Sequence, residues 1–233
     1  MARIFAGTSG FAYGSWKPRF YPEKIPARRF LEYYATRLNA VEINYTFRRL
    51  PSESTLRGWM EATPPGFLFA LKAPMRITHV LRLHEAGESL ARFLKAITPL
   101  AEEERLGPVL FQLPPQMPYA EGRLEEFLPL LPAGVRAVFE FRHPSWLRED
   151  VYAALRKRNA ALCTAEPDAV TADFAYSRLR EPPYAPEAVD AIARRARQLA
   201  AAGKDVCLFF KHEDSPEGAF HAERVLRYPA TAG

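Results

Sequence analysis

Much can be excluded from what this chain lacks. Only two of its 233 residues are cysteine. Cys163 and Cys207 each lie inside an apolar run, with no C-x-x-C or Cys/His spacing around them, so no zinc finger is encoded. They read as small buried hydrophobes in a reducing compartment. No run approaches the roughly 20 apolar residues that a membrane span needs. The opening MARIFAGTSG has no apolar core long enough for a signal peptide. A cytoplasmic protein with no membrane partner is expected. No G-x-G-x-x-G follows the first apolar run, which argues against a doubly wound dinucleotide-binding sheet. No Ser-His-Asp order or nucleophile elbow appears, and no repeat, linker or low-complexity tract interrupts the chain. Neither charge dominates: 32 Lys+Arg stand against 27 Asp+Glu, a net +5. That excess permits an anionic partner without requiring one.

What is present is ordinary globular composition, 48% hydrophobic and 25% charged. Eight short apolar runs read as strands: 4–7, 40–43, 67–72, 108–112, 136–141, 161–164, 174–179 and 206–210. Between them the apolar spacing turns helical. Phe30, Tyr33, Tyr34 and Leu38 share one face, as do Leu90, Phe93, Leu94 and Ile97. Ser52 is placed to cap a helix, and Gly203 to close a long one over 186–202. The segment from Asp168 to Asp173 is too short for more than one helical turn. The alternation predicts an α/β, TIM-type (β/α)8 barrel filling 1–233 as one domain, with a helix missing or shortened after strand six.

The most informative stretch is FEFRHPSW at 139–146. Strand alternation puts Glu140 on the same face as Val138, an interior face, where an unpaired acid is expensive. Lys72 at the end of the third strand faces inward by the same rule. A Lys72–Glu140 pair is expected across the barrel mouth, direct or bridged by Gln112. Other polar residues fall at strand ends in turn: Thr8 and Ser9, Glu42 and Asn44 followed by Tyr45, Lys72 with His79 beyond it, and Gln112. Glu140, Arg142, His143 and Trp146 come next, then Tyr176 and Arg178, and finally Lys211 to Asp214. Active sites of such barrels lie at the C-terminal strand ends, so this convergence points to a polar, basic pocket there.

Several of these motifs resemble one family. GTSG at 7–10 with Tyr13 and Trp16, VEINYTFRRLP at 41–51, LK at 71–72 with ITH at 77–79, FQLPP at 111–115, FEFRHPSW at 139–146 and TADFAYSRL at 171–179 are similar to the YecE-like family (domain of unknown function 72). The resemblance implies a TIM-type barrel and no established reaction. The sequence departs from the family's usual pattern at Arg180-Glu181, where a His-Gly pair is usual. It departs again at Lys211-His212-Glu213-Asp214 and at His221-Ala222.

Two functional readings follow. In the first, the protein is an enzyme, a hydrolase or lyase acting on a phosphorylated or phosphodiester substrate. Glu140, Lys72 and Glu42 are the candidate catalytic residues. Asn44, Tyr45, His79, Gln112, Arg142, His143, Trp146, Tyr176 and Arg178 are the candidate substrate-binding residues. Carboxylates and imidazoles of this kind suit a divalent metal cofactor, but no compact motif supports one, and a strand turns Glu140 and His143 to opposite faces. Lys72 as a Schiff-base nucleophile requires a depressed pKa, and an acid beside it would hold it protonated. In the second reading the protein binds nucleic acid or another polyanion without catalysis, through Arg48, Arg49, Arg76, Arg82, Arg142 and Arg148 interleaved with aromatic residues. An anionic small molecule or a nucleic acid is the expected partner under either reading. Oligomeric state and substrate identity are not encoded in any pattern here.

Overall fold

A computed structural model of the chain describes residues 2–211 and 214–229. Eight parallel strands form one sheet in the order β1-β8-β7-β6-β5-β4-β3-β2. They are β1 (Ile4–Thr8), β2 (Ala40–Ile43), β3 (Leu68–Lys72), β4 (Leu106–Gln112), β5 (Ala137–Glu140), β6 (Ala161–Thr164), β7 (Phe174–Leu179) and β8 (Asp205–Phe210). The helices are α1 (Phe30–Ala35), α2 (Tyr45–Arg48), α3 (Glu53–Glu61), α4 (Gly87–Glu102), α5 (Arg123–Phe127), α6 (Glu149–Arg158), α7 (Pro186–Ala201) and α8 (Glu217–Arg227). No helix separates β6 from β7, as the brevity of that connection predicts. Residues 45–49, which read as loop in the sequence, instead contain the single turn α2. Ser52 caps α3 by accepting from the Thr55 backbone N–H at 3.2 Å, and Gly203, at φ +83°, follows α7. His212 and Glu213 of the expected strand-eight end lie outside the described residues. None of the described helices is long and apolar enough to cross a membrane.

Two apolar layers hold the fold. The larger lies between sheet and helices and includes Trp16, Phe69, Phe93, Phe111, Phe139 and Trp146. The smaller fills the barrel interior, where Phe5, Phe174, Tyr176 and Phe209 lie against Ala40, Ala70, Ala161 and Cys207. Large residues against small ones let a closed barrel pack without voids. The rings stop short of the C-terminal strand ends, and the polar residues begin there.

The barrel closes unusually at β1 and β2. Only one backbone bridge joins them, Ser9 to Glu42. Side chains supply the rest of the seam. Asn39 accepts from Ala6 N–H and donates to the Ile4 carbonyl, both at 2.9 Å. The Tyr34 hydroxyl donates to the Ala40 carbonyl at 3.0 Å and accepts from Thr8 N–H at 2.8 Å. Gly7 permits this approach, since a Cβ there would lie 1.9 Å from the Ala40 carbonyl oxygen. The seam pins Ser9 and Glu42 to each other, and that contact is one edge of the site.

Candidate functional site

The C-terminal strand ends converge on one guanidinium. Arg178, fifth residue of β7, is 3% exposed and bridges two buried carboxylates. Its Nη2 donates to Glu42 Oε1 at 2.8 Å and its Nη1 to Glu140 Oε2 at 2.7 Å. Glu42 and Glu140 belong to β2 and β5, and the small Cys163 of β6, the strand between β7 and β5, lies level with Glu140. Glu42 is held further by Tyr176, whose hydroxyl donates to Oε2 at 2.6 Å, and by the Ser9 hydroxyl, which donates to Oε1. Asn44 Nδ2 donates to Ser9 Oγ at 3.2 Å, and so does Arg178 Nη2 at 3.1 Å. Buried charges are tolerable only when paired and hydrogen-bonded in this way. Within this network Arg178 Nε is left buried without a partner, as are Arg197 Nε and Glu217 Oε2 elsewhere among the described residues.

Glu140 carries more cations than Glu42 does. Arg142 Nε donates to its Oε1 at 3.1 Å, and Arg180 Nη2 lies 2.8 Å from the same oxygen. Gln112 Nε2 donates to Oε2 at 3.0 Å. Burial alone would raise this carboxyl, but Arg178, Arg180 and the Gln112 hydrogen bond outweigh it and hold it at about 2. Such a group is a permanent anion at neutral pH and has no proton to give.

Lys72 Nζ donates to Gln112 Oε1 at 2.6 Å. The expected Lys72–Glu140 pairing is therefore bridged by the Gln112 amide, while the direct partner of Glu140 is Arg178. No carboxylate pairs directly with Lys72, because Arg178 engages both acids; Glu42 and Glu140 still favour its charged form from a distance, as expected, but are outweighed. Burial first, and the Arg178 charge second, bring the ammonium down to about 8. The Lys72 ammonium also sits 4.0 Å from the centre of the Phe47 ring, a cation–π contact. His79 meets the edge of that ring at 5.0 Å and is shifted downward by burial and by Lys72.

Of the residues selected from sequence, Glu42, Asn44, Lys72, Gln112, Glu140, Arg142, Tyr176 and Arg178 are joined in this one network. His79 stands one ring outside it. Three others are not part of it. Trp146 is fully buried, stacked 4.9 Å from Phe141, and its indole N–H donates to the Met117 carbonyl, so it anchors the loop and lines no open mouth. His143 turns away to cap the turn at 144–146, its Nδ1 2.7 Å from Ser145 Oγ, so Glu140 and His143 do not converge as metal ligands. Tyr45 is 44% exposed, with its ring edge-on to Trp59 on the far side of α2. No group of three or more His, Cys, Asp or Glu among the described residues is arranged to hold a metal ion. Sequence reasoning missed Arg180 and Phe47. Arg180 sits two residues beyond Arg178, and strand alternation gave it the same face.

Residues 5–232 match the family described as Protein of unknown function DUF72. The chain belongs to the DUF72 family. A DUF72 family protein from Thermotoga maritima superposes with a TM-score of 0.83 at 27% identity, over 97% of this chain and 98% of that one. The UPF0759 protein YunF of Bacillus subtilis (strain 168) is 25% identical over 142 residues, 57% of this chain. The match spans about half the length of that relative, 49%. An AP endonuclease, family 2, from Brucella melitensis shares the fold with a TM-score of 0.53 at 10% identity, over 91% of this chain and 93% of that one. In this DUF72 chain the mouth holds four cations, Lys72, Arg142, Arg178 and Arg180, against two carboxylates. Arg142 and Arg180 remain about one-third exposed, with side-chain exposures of 36% and 34%.

Proposed function

We propose that the barrel mouth binds a phosphorylated ligand and that the protein is an enzyme acting on a phosphate ester or diester. The observation that carries this reading is the surplus of cations. Arg178 is consumed by Glu42 and Glu140, but Arg142, Arg180 and Lys72 have donors to spare and are reached from solvent. Arginine forks suit phosphate oxygens, and a lysine adds a compact third charge. Glu42, Arg178 and Glu140 form the fixed frame, and their roles are positional. Lys72 is the proton-transfer group. Its ammonium is acidic enough to protonate a leaving oxygen near neutral pH, and Gln112 and Phe47 hold it in place.

The test combines binding with turnover. Phosphate and pyrophosphate are titrated calorimetrically, and chromogenic phosphomonoesters and phosphodiesters are assayed. Lys72→Met is expected to reduce turnover by roughly 10² or more. Arg180→Ala is expected to raise KM with kcat little changed. The free enzyme's kcat/KM should fall as pH rises through about 8, where Lys72 loses its proton. Undetectable pyrophosphate binding at millimolar concentration, or turnover indifferent to Lys72→Met, overturns the reading. The amide partner of Lys72 also favours a second reading, a lyase forming an imine on a phosphorylated carbonyl compound. Borohydride trapping of that compound on Lys72, found by peptide mass, distinguishes the two.

A further inference from the structure

Beside the mouth, the loops after β2 and β3 and the start of α4 enclose a groove of about 500 Å³. Its walls carry Phe47, Arg48, Arg49, Arg76 and Arg92, with Glu88 as the one acid. All four arginines are exposed. Arg76 Nε donates to Ser89 Oγ at 3.1 Å, whereas Arg48, Arg49 and Arg92 have no ion pair among the described residues. Elsewhere Arg29, Arg57, Arg148, Arg156 and Arg224 each pair with a carboxylate at 2.6–3.0 Å, whereas the exposed Arg28, Arg82 and Arg194 have no ion pair among the described residues. What sets the groove apart is that three such arginines line one concavity beside the mouth. The link is Phe47, which lines the groove and carries Lys72 on its face.

A second hollow, of about 440 Å³, lies on the other side of α2. It is neutral and aromatic, lined by Phe11, Tyr13, Tyr45 and Trp59 with Asn44 and Thr55 as polar groups. Asn44 also donates to Ser9 at the central network. Successive residues of one short turn therefore front an aromatic hollow at Tyr45 and a basic groove at Phe47 and Arg48. A phosphate wall beside an aromatic platform is the pairing that an unpaired polynucleotide strand presents to a protein. Its phosphates seek arginine, and its exposed bases stack on rings. A duplex keeps its bases inside and has no use for the second hollow.

We propose that this surface binds single-stranded nucleic acid, with phosphates in the arginine groove, a base in the aromatic hollow, and the strand leading to Lys72. The proposal deepens the phosphodiester reading of the mouth and rests on it. The test is fluorescence anisotropy with a labelled oligothymidylate of about twelve nucleotides, at salt from about 50 to 200 mM. The wild type is expected to bind, with affinity falling steeply as salt rises. Replacing Arg48, Arg49 and Arg92 together by Ala should weaken binding at least tenfold at the lower salt. It should also make the slope of log K against log salt shallower by about 2, three contacts at roughly 0.7 each. These side chains are exposed, so an unchanged melting temperature verifies the fold of the variant. Tyr45→Ala should weaken binding several-fold and leave the slope unchanged. No binding at the lower salt, binding unaffected by the triple variant, or equal affinity for a duplex of the same length overturns the proposal. Pyrophosphate titrated into wild type and Lys72→Met reads the mouth separately. Absence of that signal in the wild type fails the phosphate reading, and this proposal with it. An intact pyrophosphate signal with no oligonucleotide bound fails this proposal alone.

Discussion

Glu140→Gln is the most discriminating perturbation of the network. Glutamine keeps the shape and one acceptor, so Arg178 Nη1 keeps a hydrogen bond, while the charge is lost and an NH2 replaces the oxygen that faced Arg142 and Arg180. The carboxyl titrates at about 2 in the fold, against an ordinary 4.5. That difference stabilises the protein by about 3 kcal/mol at neutral pH. Folding depresses this pKa, so the stabilisation is full above about pH 5 and is lost as pH falls through about 2. An independent argument gives a similar size: half of a buried pair left uncompensated costs about 3–5 kcal/mol. Arg142 and Arg180, each partly exposed, can turn to water and contribute little to that penalty. For a chain of this length the loss lowers Tm by roughly 6–12 °C. The assay is thermal melting of wild type and variant from neutral to acidic pH. The two curves should differ most at pH 7 and converge as pH drops below about 3, because the wild type then loses the same charge. Tm values within about 2 °C of each other at pH 7, or a gap that does not shrink in acid, refute the buried-network account.

Arg178→Met should cost more than Glu140→Gln, since it strands two buried carboxylates instead of one cation. Protonating a carboxylate stranded by the loss of its cation removes a buried charge, so the urea midpoint of this variant should recover toward wild type on acidification to about pH 4; a constant deficit refutes it. Gly7→Ala should break the β1/β2 seam, because its methyl would lie 1.9 Å from the Ala40 carbonyl oxygen. A loss of several kcal/mol or insolubility is expected, and a wild-type melt contradicts the seam account. Lys72→Met should raise stability at pH 7, because folding lowers the Lys72 pKa to about 8. The unfolded chain binds more protons between there and 10.5, so wild-type stability rises over that window and the variant's advantage should fade. An advantage that persists in alkali counts against a charged Lys72 in the fold.

The strands were legible because each is a short apolar run ended by a polar or prolyl residue, and the missing helix after β6 was legible as chain length. The start of β4 was not. It begins at Leu106, two residues earlier than the apolar run, because Gly107 lies so close to β3 that a Cβ would meet Leu68 at 2.9 Å. Alternation identified the inward faces of Glu42, Lys72, Glu140 and Arg178. It could not rank partners, because alternation says nothing of reach across a barrel mouth. Trp146 misled for a related reason. An aromatic beside Pro144 in a polar loop reads as exposed, but a coplanar Phe141 and the Met117 carbonyl bury it. The two hollows flanking α2 were illegible, because residues 45–49 read as loop and a loop assigns no faces.

Under the proposed reading of the mouth, the saturation of the two carboxylates constrains the charge of a ligand. Glu42 is bound by Arg178, Tyr176 and Ser9, and no cation is left over at its end of the network. Glu140 shares its Oε1 between Arg142 and Arg180, the only two partners of that oxygen among the described contacts. An incoming anion that takes those guanidiniums competes with a carboxylate already in place. A monoanion gains no more charge attraction from the exchange than Glu140 already provides. A phosphate dianion gains more, and its extra oxygens reach Lys72 while both forks stay engaged. As Arg180 leaves, Glu140 loses its second-strongest stabilising charge and its carboxyl rises from about 2, but Arg178 remains and keeps it ionised. The frame thus tolerates the exchange. Under the proposed phosphate reading, preference for a doubly charged group would arise from competition within the protein, before any contact specific to the rest of a substrate.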